Sequence, residues 1–160
     1  MIKIALAPCS PFSVTQDLLI ETARMAERLD VQMHTHLAET ADEDVYCQKV
    51  YGRRPYAFMG DMEWNVSRAW YAHCVKFDPE EVAKAAACGV GVAHCPTSNF
   101  RLGSGIAPIK QMVQAGVKVG LGVDGSASND SSDMLGEVRS CMWAQRALHG
   151  PDAMTSRQAL

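Results

Sequence analysis

The stretch VQMHTHLAE (residues 31–39) joins an apolar strand pattern to an imidazole and a carboxylate. The strand pattern runs from Val31 to His36, and Glu39 follows where the strand has given way to a loop. A histidine at a strand end is a natural ligand for a divalent metal, and a carboxylate beside it can carry protons. The stretch therefore predicts a buried strand that ends in a candidate metal ligand and is followed by a candidate proton carrier.

The same pattern recurs along the chain. Strands are predicted over Ile2–Ala7, Val31–His36, Ala69–Val75, Val90–Cys95 and Val117–Val123, and His73, His94 and Asp124 lie at the ends of the last three. Helices are predicted over about Gln16–Leu29, Val45–Tyr51, Pro55–Met59, Pro79–Cys88, Pro108–Ala115 and Asp133–Leu148, with loops over residues 39–44 and 96–105.

Five strand-then-helix units in succession predict an α/β fold with a parallel sheet and right-handed crossovers. An open doubly wound sheet and part of a (β/α)8 TIM barrel both satisfy this order. Functional groups at successive strand ends favour the barrel, where all strand ends face one cavity. Five units are too few to close it, so residues 1–160 are predicted to form a single, incomplete domain, the C-terminal portion of a hydrolase barrel.

The amino-acid composition limits the classes of partner and substrate that the chain is expected to bind. The 160 residues are 48% hydrophobic, carry a formal net charge of -3 and contain no run of Lys or Arg, which argues against nucleic-acid and membrane partners. Neither a signal peptide nor a long apolar span is present, and the six cysteines form no Cys-x-x-Cys pair. Small-molecule chemistry in a reducing cytoplasm is the prediction.

Several of the candidate site residues have more than one interpretation. His36 is interpreted as a metal ligand, whereas His34, on the same strand face, is either a second ligand or a core histidine. Glu39 is a general acid and base or a solvated loop carboxylate. His73 polarises a carbonyl or the attacking water, or belongs to the core. His94 either lines the site or supports the following loop.

Asp124 lies in the segment GLGVDG (residues 120–125), which also matches the dinucleotide-binding pattern G-x-G-x-x-G. That pattern requires its third glycine to open a helix, yet the next helix is predicted to begin near Asp133. A carboxylate inside the loop would also repel pyrophosphate. A metal ligand that also accepts a proton from the attacking water is therefore the preferred interpretation of Asp124.

Several motifs together resemble the amidohydrolase superfamily, in particular its branch of guanine, cytosine, S-adenosylhomocysteine and 8-oxoguanine deaminases and triazine hydrolases. The motifs are HLAET (36–40), AHCV (72–75), HCPTSN (94–99), LGSGIAP (102–108) and GVDGSASND (122–130). The resemblance assigns the five strands to barrel positions four to eight. Residues 10–14 and 124–130 look most like the corresponding segments of 8-oxoguanine deaminases. HCPTSN is shared with guanine deaminases, so the resemblance does not decide which heterocycle is the substrate.

The resemblance implies one divalent metal ion, zinc or alternatively iron, bound by His36 and Asp124. It makes Glu39 the proton shuttle, His73 the histidine near the attacking water, and Asp124 the base as well as a ligand. His94, Asn99 and Arg101 are predicted to contact the substrate, a small heterocycle.

The chain departs from the superfamily pattern because the first-strand His-x-His pair, strands one to three and the small β domain are absent from the sequence. His34-x-His36 is not that pair, since Leu37-Ala38-Glu39 identifies the fifth-strand motif. Deamination of a purine-like ring is the expected activity. Hydrolysis of another C–N or C–Cl bond, as on a triazine, and a non-catalytic fragment are the alternatives. We expect the chain alone to be inactive, to bind zinc weakly, and to form a homo-oligomer or part of a longer chain.

Overall fold

The computed structural model describes residues 2–160, which form five strands and eight helices. In chain order the elements are β1 (Ala5–Leu6), α1 (Gln16–Leu29), β2 (Gln32–Leu37), α2 (Ala41–Tyr51), α3 (Pro55–Asp61), β3 (Ala69–His73), α4 (Pro79–Cys88), β4 (Gly91–His94), α5 (Pro96–Arg101), α6 (Ile109–Ala115), β5 (Lys118–Leu121), α7 (Met134–His149) and α8 (Ser156–Ala159). None of the helices within these residues is long and apolar enough to cross a membrane.

All strand pairs are parallel, and the spatial order β1-β2-β3-β4-β5 repeats the order in the chain. In the register, Leu37 lies beside His73, Ala72 beside Ala93, and Ala93 beside Gly120. An open doubly wound sheet reverses its strand order at a switch point, whereas a barrel does not. The predicted partial (β/α)8 barrel is confirmed.

Alternation along β2 separates the core from the site. Met33 and Leu37 are fully buried in the apolar core, which they share with Leu19 of α1. Because side chains alternate across a strand, His34 and His36 lie on the opposite face. His34 stacks on Trp70 with ring centroids 3.9 Å apart, and burial lowers the pKa of its imidazole.

Local cap chemistry sets the helix boundaries that were predicted best. The Asp78 side chain accepts from the backbone N–H of Glu81, whose side chain accepts in turn from the Asp78 backbone, and Pro79 occupies the first helical position of α4. Gly89 ends the helix with φ at +71°, the left-handed conformation that glycine adopts without strain.

Two predicted loops are partly helical. Residues 41–44 form the first turn of α2 because Thr40 caps the helix and acidic side chains there favour its positive end. Residues 96–101 form α5, which Pro96 begins. The loop assignments of these residues were therefore wrong, and Asn99 and Arg101 lie on a helix.

Candidate metal centre and active site

Three predicted site residues meet at the carboxyl edge of the sheet. His36 lies near the end of β2, His73 is the last residue of β3, and Asp124 follows shortly after β5. One ligand atom from each side chain lies within 4.8 Å of the other two. Parallel strands end at the same edge, so residues far apart in the chain share one site.

The backbone at this edge takes left-handed conformations that residues with side chains rarely adopt. φ is +51° at Ala38, +76° at His73 and +64° at Asp124. Each such residue costs on the order of 1–3 kcal/mol and persists only where the surrounding structure holds it. Strain of this kind clusters at functional sites, and here it occurs at the ends of β2 and β3 and just after β5.

Cys9 determines which ring nitrogen of His36 is free. Nδ1 of His36 donates to the carbonyl oxygen of Cys9 at 2.6 Å. A carbonyl oxygen can only accept, so Nδ1 carries the proton and Nε2 keeps its lone pair. The backbone N–H of His36 and the hydroxyl of Thr35 donate to the same carbonyl at 3.1 and 3.0 Å. His36 is thereby oriented as metal-binding histidines are.

Two hydroxyl groups stabilise the ionised form of Asp124. Ser98 Oγ donates to Oδ2 of Asp124 at 2.5 Å, and Ser128 Oγ donates to the same oxygen at 3.2 Å. Burial raises the pKa of the Asp124 carboxyl, but these bonds and one from the Gly125 backbone bring the pKa below its ordinary value. Asp124 is therefore a carboxylate that can bind a cation.

Glu39 lies between His73 and the segment that follows β4. Its Oε2 is 3.6 Å from Nε2 of His73, and its Oε1 accepts from Ser104 Oγ at 3.3 Å and from Asn99 Nδ2 at 3.5 Å. Burial lowers the pKa of the His73 imidazole, against the opposing effect of the Glu39 carboxylate. A neutral imidazole beside a carboxylate is an arrangement suited to moving protons.

His94 is the last residue of β4 and is fully buried. Neither of its ring nitrogens has a hydrogen-bond partner among the residues that the structure describes. Burial and then the neighbouring His73 lower the pKa of His94 to about 3, so the ring is neutral. Its ring nitrogens do not belong to the ligand cluster found within residues 2–160. Its contact with substrate stays a prediction.

The helix α5 carries the two other residues predicted to contact substrate. Asn99 is fully buried, and its Nδ2 lies 3.0 Å from Nδ1 of His73. Arg101 is exposed and donates to Asp130 at 2.9 Å, which links α5 to the loop after β5. The structure thus brings Asn99 to the site through His73, and Arg101 to a surface ion pair. A substrate contact for either residue stays a prediction.

A cavity of about 250 Å³ lies beside Glu39. Its lining combines one aromatic ring with hydroxyl, thiol, imidazole and carboxylate groups: Cys9, Ser10, Phe12, His36, Glu39, Thr40 and Glu43. Ligand pockets typically pair apolar surface with a few convergent polar groups. This lining suits a flat heterocycle that bears hydrogen-bonding groups.

Four further side chains bond to the predicted site residues or their backbone and were not predicted from the sequence: Ser98, Ser104, Ser128 and Glu43. Glu43 had a usable signal, because it follows Glu39 by four residues into the first turn of a helix, and its Oε2 accepts from the Glu39 backbone N–H at 3.0 Å. Ser128 also had a local signal, because it lies four residues after Asp124. Ser98 and Ser104 had none, since their bonds to Asp124 and Glu39 bridge segments that only the fold brings together.

The donor set fits a divalent metal ion. Nε2 of His36 has its lone pair free, and Asp124 is ionised. Imidazole nitrogen and carboxylate oxygen are the ligands that catalytic zinc sites combine. His36 and Asp124 would hold the ion, with His73 beside it.

Comparisons with known proteins agree with this geometry. The model of the amidohydrolase family matches residues 1–160. The 8-oxoguanine deaminase of Pseudomonas aeruginosa is 46% identical over 159 residues, which are 99% of this chain and 35% of that protein. An isoxanthopterin deaminase from an unknown prokaryotic organism is 47% identical over 151 residues, which are 94% of this chain and 31% of that protein.

The fold is also similar to that of solved structures. The atrazine chlorohydrolase of Arthrobacter aurescens TC1, crystallised with zinc, is similar with a TM-score of 0.94 and 35% identity, over 99% of this chain and 36% of that one. The chain therefore spans about a third of the length of these relatives.

Proposed function

This chain belongs to the amidohydrolase family, and we propose that the enzyme of which it forms a part hydrolytically deaminates a purine-like heterocycle and releases ammonia. The observation that carries the proposal is the convergence of His36, His73 and Asp124. Their ligand atoms lie within 4.8 Å of one another, with the Glu39 carboxylate 3.6 Å from the His73 ring. This arrangement supports a cation site beside a proton carrier, as hydrolysis of a C–N bond requires.

Asp124 and Glu39 move the protons in this proposal. When bound, a divalent ion lowers the pKa of water to about 7 and so supplies a nucleophile at neutral pH. Glu39 takes a proton from the attacking water and passes it to the adjacent ring nitrogen as the water oxygen adds to the amine-bearing ring carbon. Asp124 then takes the hydroxyl proton and passes it to the amine, the C–N bond breaks, and both carboxylates are again ionised. The products are ammonia and a ring carbonyl.

The relatives support a substrate class. 8-Oxoguanine and isoxanthopterin both contain a 2-amino-4-oxopyrimidine ring fused to a second, oxidised ring, and enzymes named for their deamination are 46% and 47% identical to this chain. We propose that the substrate carries the same aminopyrimidinone half. The cavity beside Glu39 offers the Phe12 ring for stacking and polar groups for the ring nitrogens.

Hydrolysis of a ring-bound chloride is the second candidate. The similarity to an atrazine chlorohydrolase structure favours it, because the same attack on an electron-poor ring carbon expels chloride instead of an amine. A panel of aminopurines, aminopteridines and chlorotriazines, assayed in parallel for ammonia and chloride, separates the two activities.

We propose zinc as the metal, with iron as the alternative, and a cytoplasmic location. Zinc is supported by the zinc-containing structures among the relatives. The free thiols of the cysteines support a reducing compartment. Because this chain spans about a third of its relatives' length, we propose that further metal ligands come from the rest of the enzyme.

Substituting Glu39→Gln in the complete enzyme tests the proposal. The amide keeps the size of the side chain and its contacts with Ser104, but it cannot carry a proton. We expect ammonia release to fall about 100- to 10,000-fold while the metal content, measured by elemental analysis, stays that of the wild type.

A matched control is Glu80→Gln, which removes an exposed carboxylate paired with Lys84 on α4. It should leave turnover unchanged. Ammonia release by Glu39→Gln at the wild-type rate would contradict the assigned role of Glu39. No ammonia release by the wild type from any aminoheterocycle would contradict the proposed function itself.

A further inference from the structure

Asn99 is a buried amide held behind the active site. It lies on α5 with no exposed surface. Its backbone N–H donates to the carbonyl of Cys95 at 3.0 Å, and its own carbonyl accepts from the backbone N–H of Ser104 at 2.9 Å. The side chain therefore projects from an anchored backbone, and its Nδ2 lies 3.0 Å from Nδ1 of His73 and 3.5 Å from Oε1 of Glu39.

The position of the Glu39 carboxylate determines which way the Asn99 amide faces. With Nδ2 directed at His73 and Glu39, the amide donates to an imidazole nitrogen and to a carboxylate oxygen. The flipped amide would place Oδ1 against the Glu39 oxygen, where two acceptors repel each other. The donating orientation is therefore the stable one, and it makes Nδ1 of His73 an acceptor.

An acceptor at Nδ1 places the proton of the neutral His73 ring on Nε2. That nitrogen lies 3.6 Å from Oε2 of Glu39. His36 has the opposite arrangement, because its Nδ1 donates to the Cys9 carbonyl and its Nε2 is free. The two neighbouring imidazoles, whose ring centroids are 5.5 Å apart, thus carry opposite tautomers.

We propose that Asn99 is a positioning residue that holds His73, beside the metal site, as the Nε2–H tautomer and orients Glu39, so that His73 donates a hydrogen bond from Nε2. The consequence for turnover rests on the proposed deamination. A ligand role would require an unprotonated Nε2 and a protonated Nδ1, which could not accept from the Asn99 amide.

The wild-type tautomer can be measured directly in the complete enzyme. Histidine labelled with ¹⁵N at both ring positions gives long-range ¹H–¹⁵N spectra in which protonated, unprotonated and metal-bound nitrogens differ. The His73 signals are identified by their loss in His73→Gln. We expect His73 to show a protonated Nε2 and an unprotonated Nδ1 with zinc bound, and His73→Gln to retain its zinc.

Asn99→Asp replaces the donor by an acceptor of the same size. We expect the His73 proton to move to Nδ1, the metal content to remain, and kcat to fall about 10- to 100-fold with a smaller change in KM. Asn65→Asp is the matched control, because Asn65 bonds to Tyr56 and Tyr71 away from the site. It should leave the His73 spectrum and kcat unchanged.

A zinc-bound or unprotonated Nε2 of His73 in the wild type would overturn the proposal, as would loss of zinc from His73→Gln. An unchanged His73 tautomer in Asn99→Asp would also overturn it. The wild-type spectrum needs no variant of Asn99, so the proposal stays testable if that variant fails to fold. A wild type with the expected tautomer but without ammonia release would contradict the proposed function and leave the role of Asn99 intact.

Discussion

The buried carboxyl of Glu43 should make the stability of the enzyme depend on pH. Glu43 is 4% exposed and lies in the first turn of α2, where its Oε2 accepts from the backbone N–H of Glu39 at 3.0 Å. Burial is the main reason that the pKa of Glu43 is raised from 4.5 to about 7. Hydrogen bonds from the Ala38 and Glu39 backbones lower this pKa, and the negative charges of Asp44 and Glu39 raise it further. Glu43 therefore holds its proton to near neutrality.

The sign of the effect follows from proton binding. Between pH 4.5 and about 7 the folded protein retains a proton on Glu43 that the unfolded chain has lost. The free energy of unfolding therefore falls as the pH rises through this window and is level above it. At about 1.4 kcal/mol for each pKa unit, the difference between the two pKa values corresponds to about 3 kcal/mol.

Urea denaturation of the wild type and Glu43→Gln at about pH 5 and about pH 8 measures this effect. The glutamine cannot ionise, so over that range the wild type should lose roughly 2 to 3 kcal/mol more of its unfolding free energy than the variant. Any effect of the amide on the unfolding free energy that does not depend on pH cancels when the change between the two pH values is compared. Glu27→Gln, an exposed change on α1, should follow the wild type. Equal pH dependence in wild type and Glu43→Gln would refute the reasoning.

Two other perturbations test the core and the metal site. In Trp64→Phe the buried carbonyl of Leu19 loses the indole N–H that donates to it at 2.8 Å, so the free energy of unfolding should fall by about 1–3 kcal/mol in urea. The exposed Trp143→Phe should change it by far less, and equal effects would contradict this account. Dialysis of the enzyme against a chelator should abolish ammonia release, and added zinc should restore it. Undiminished turnover by metal-free enzyme would rule out the proposed metal.

The secondary structure was predictable wherever its signals are local. Asp78, Pro79 and Glu81 form a complete helix start within four residues, and α1 has the predicted boundaries. The predicted loops at residues 41–44 and 96–101 were wrong because polar segments without an apolar stripe resemble loops. The local helix signals there were the N-cap Thr40 with the acidic residues that follow it, and Pro96 at the first helical position.

The sequence could predict that His36, His73 and Asp124 meet at one edge of the sheet, but not where their protons lie. These residues are recognisable because a histidine or carboxylate that ends an apolar strand has few structural reasons to be there. The left-handed backbone at His73 and Asp124 had only a weak sequence signal, since histidine and aspartate adopt this conformation more often than most other residues but far less readily than glycine. Such conformations are imposed by the packing around them.

The sequence by itself determined the parallel α/β fold and the residues at its strand ends, because apolar runs, helix caps and side-chain types act over a few neighbouring positions. Only the tertiary structure decided the surroundings from which the tautomers proposed for His36 and His73 and the raised pKa of Glu43 follow. Those states depend on which group faces each nitrogen or oxygen, and the Cys9 carbonyl and the Asn99 amide reach the two histidines across 27 and 26 residues of chain. The stretch of residues 31–39 supplies the proposed metal ligand His36 and the proposed proton carrier Glu39, and the groups that face them in space belong to distant parts of the chain.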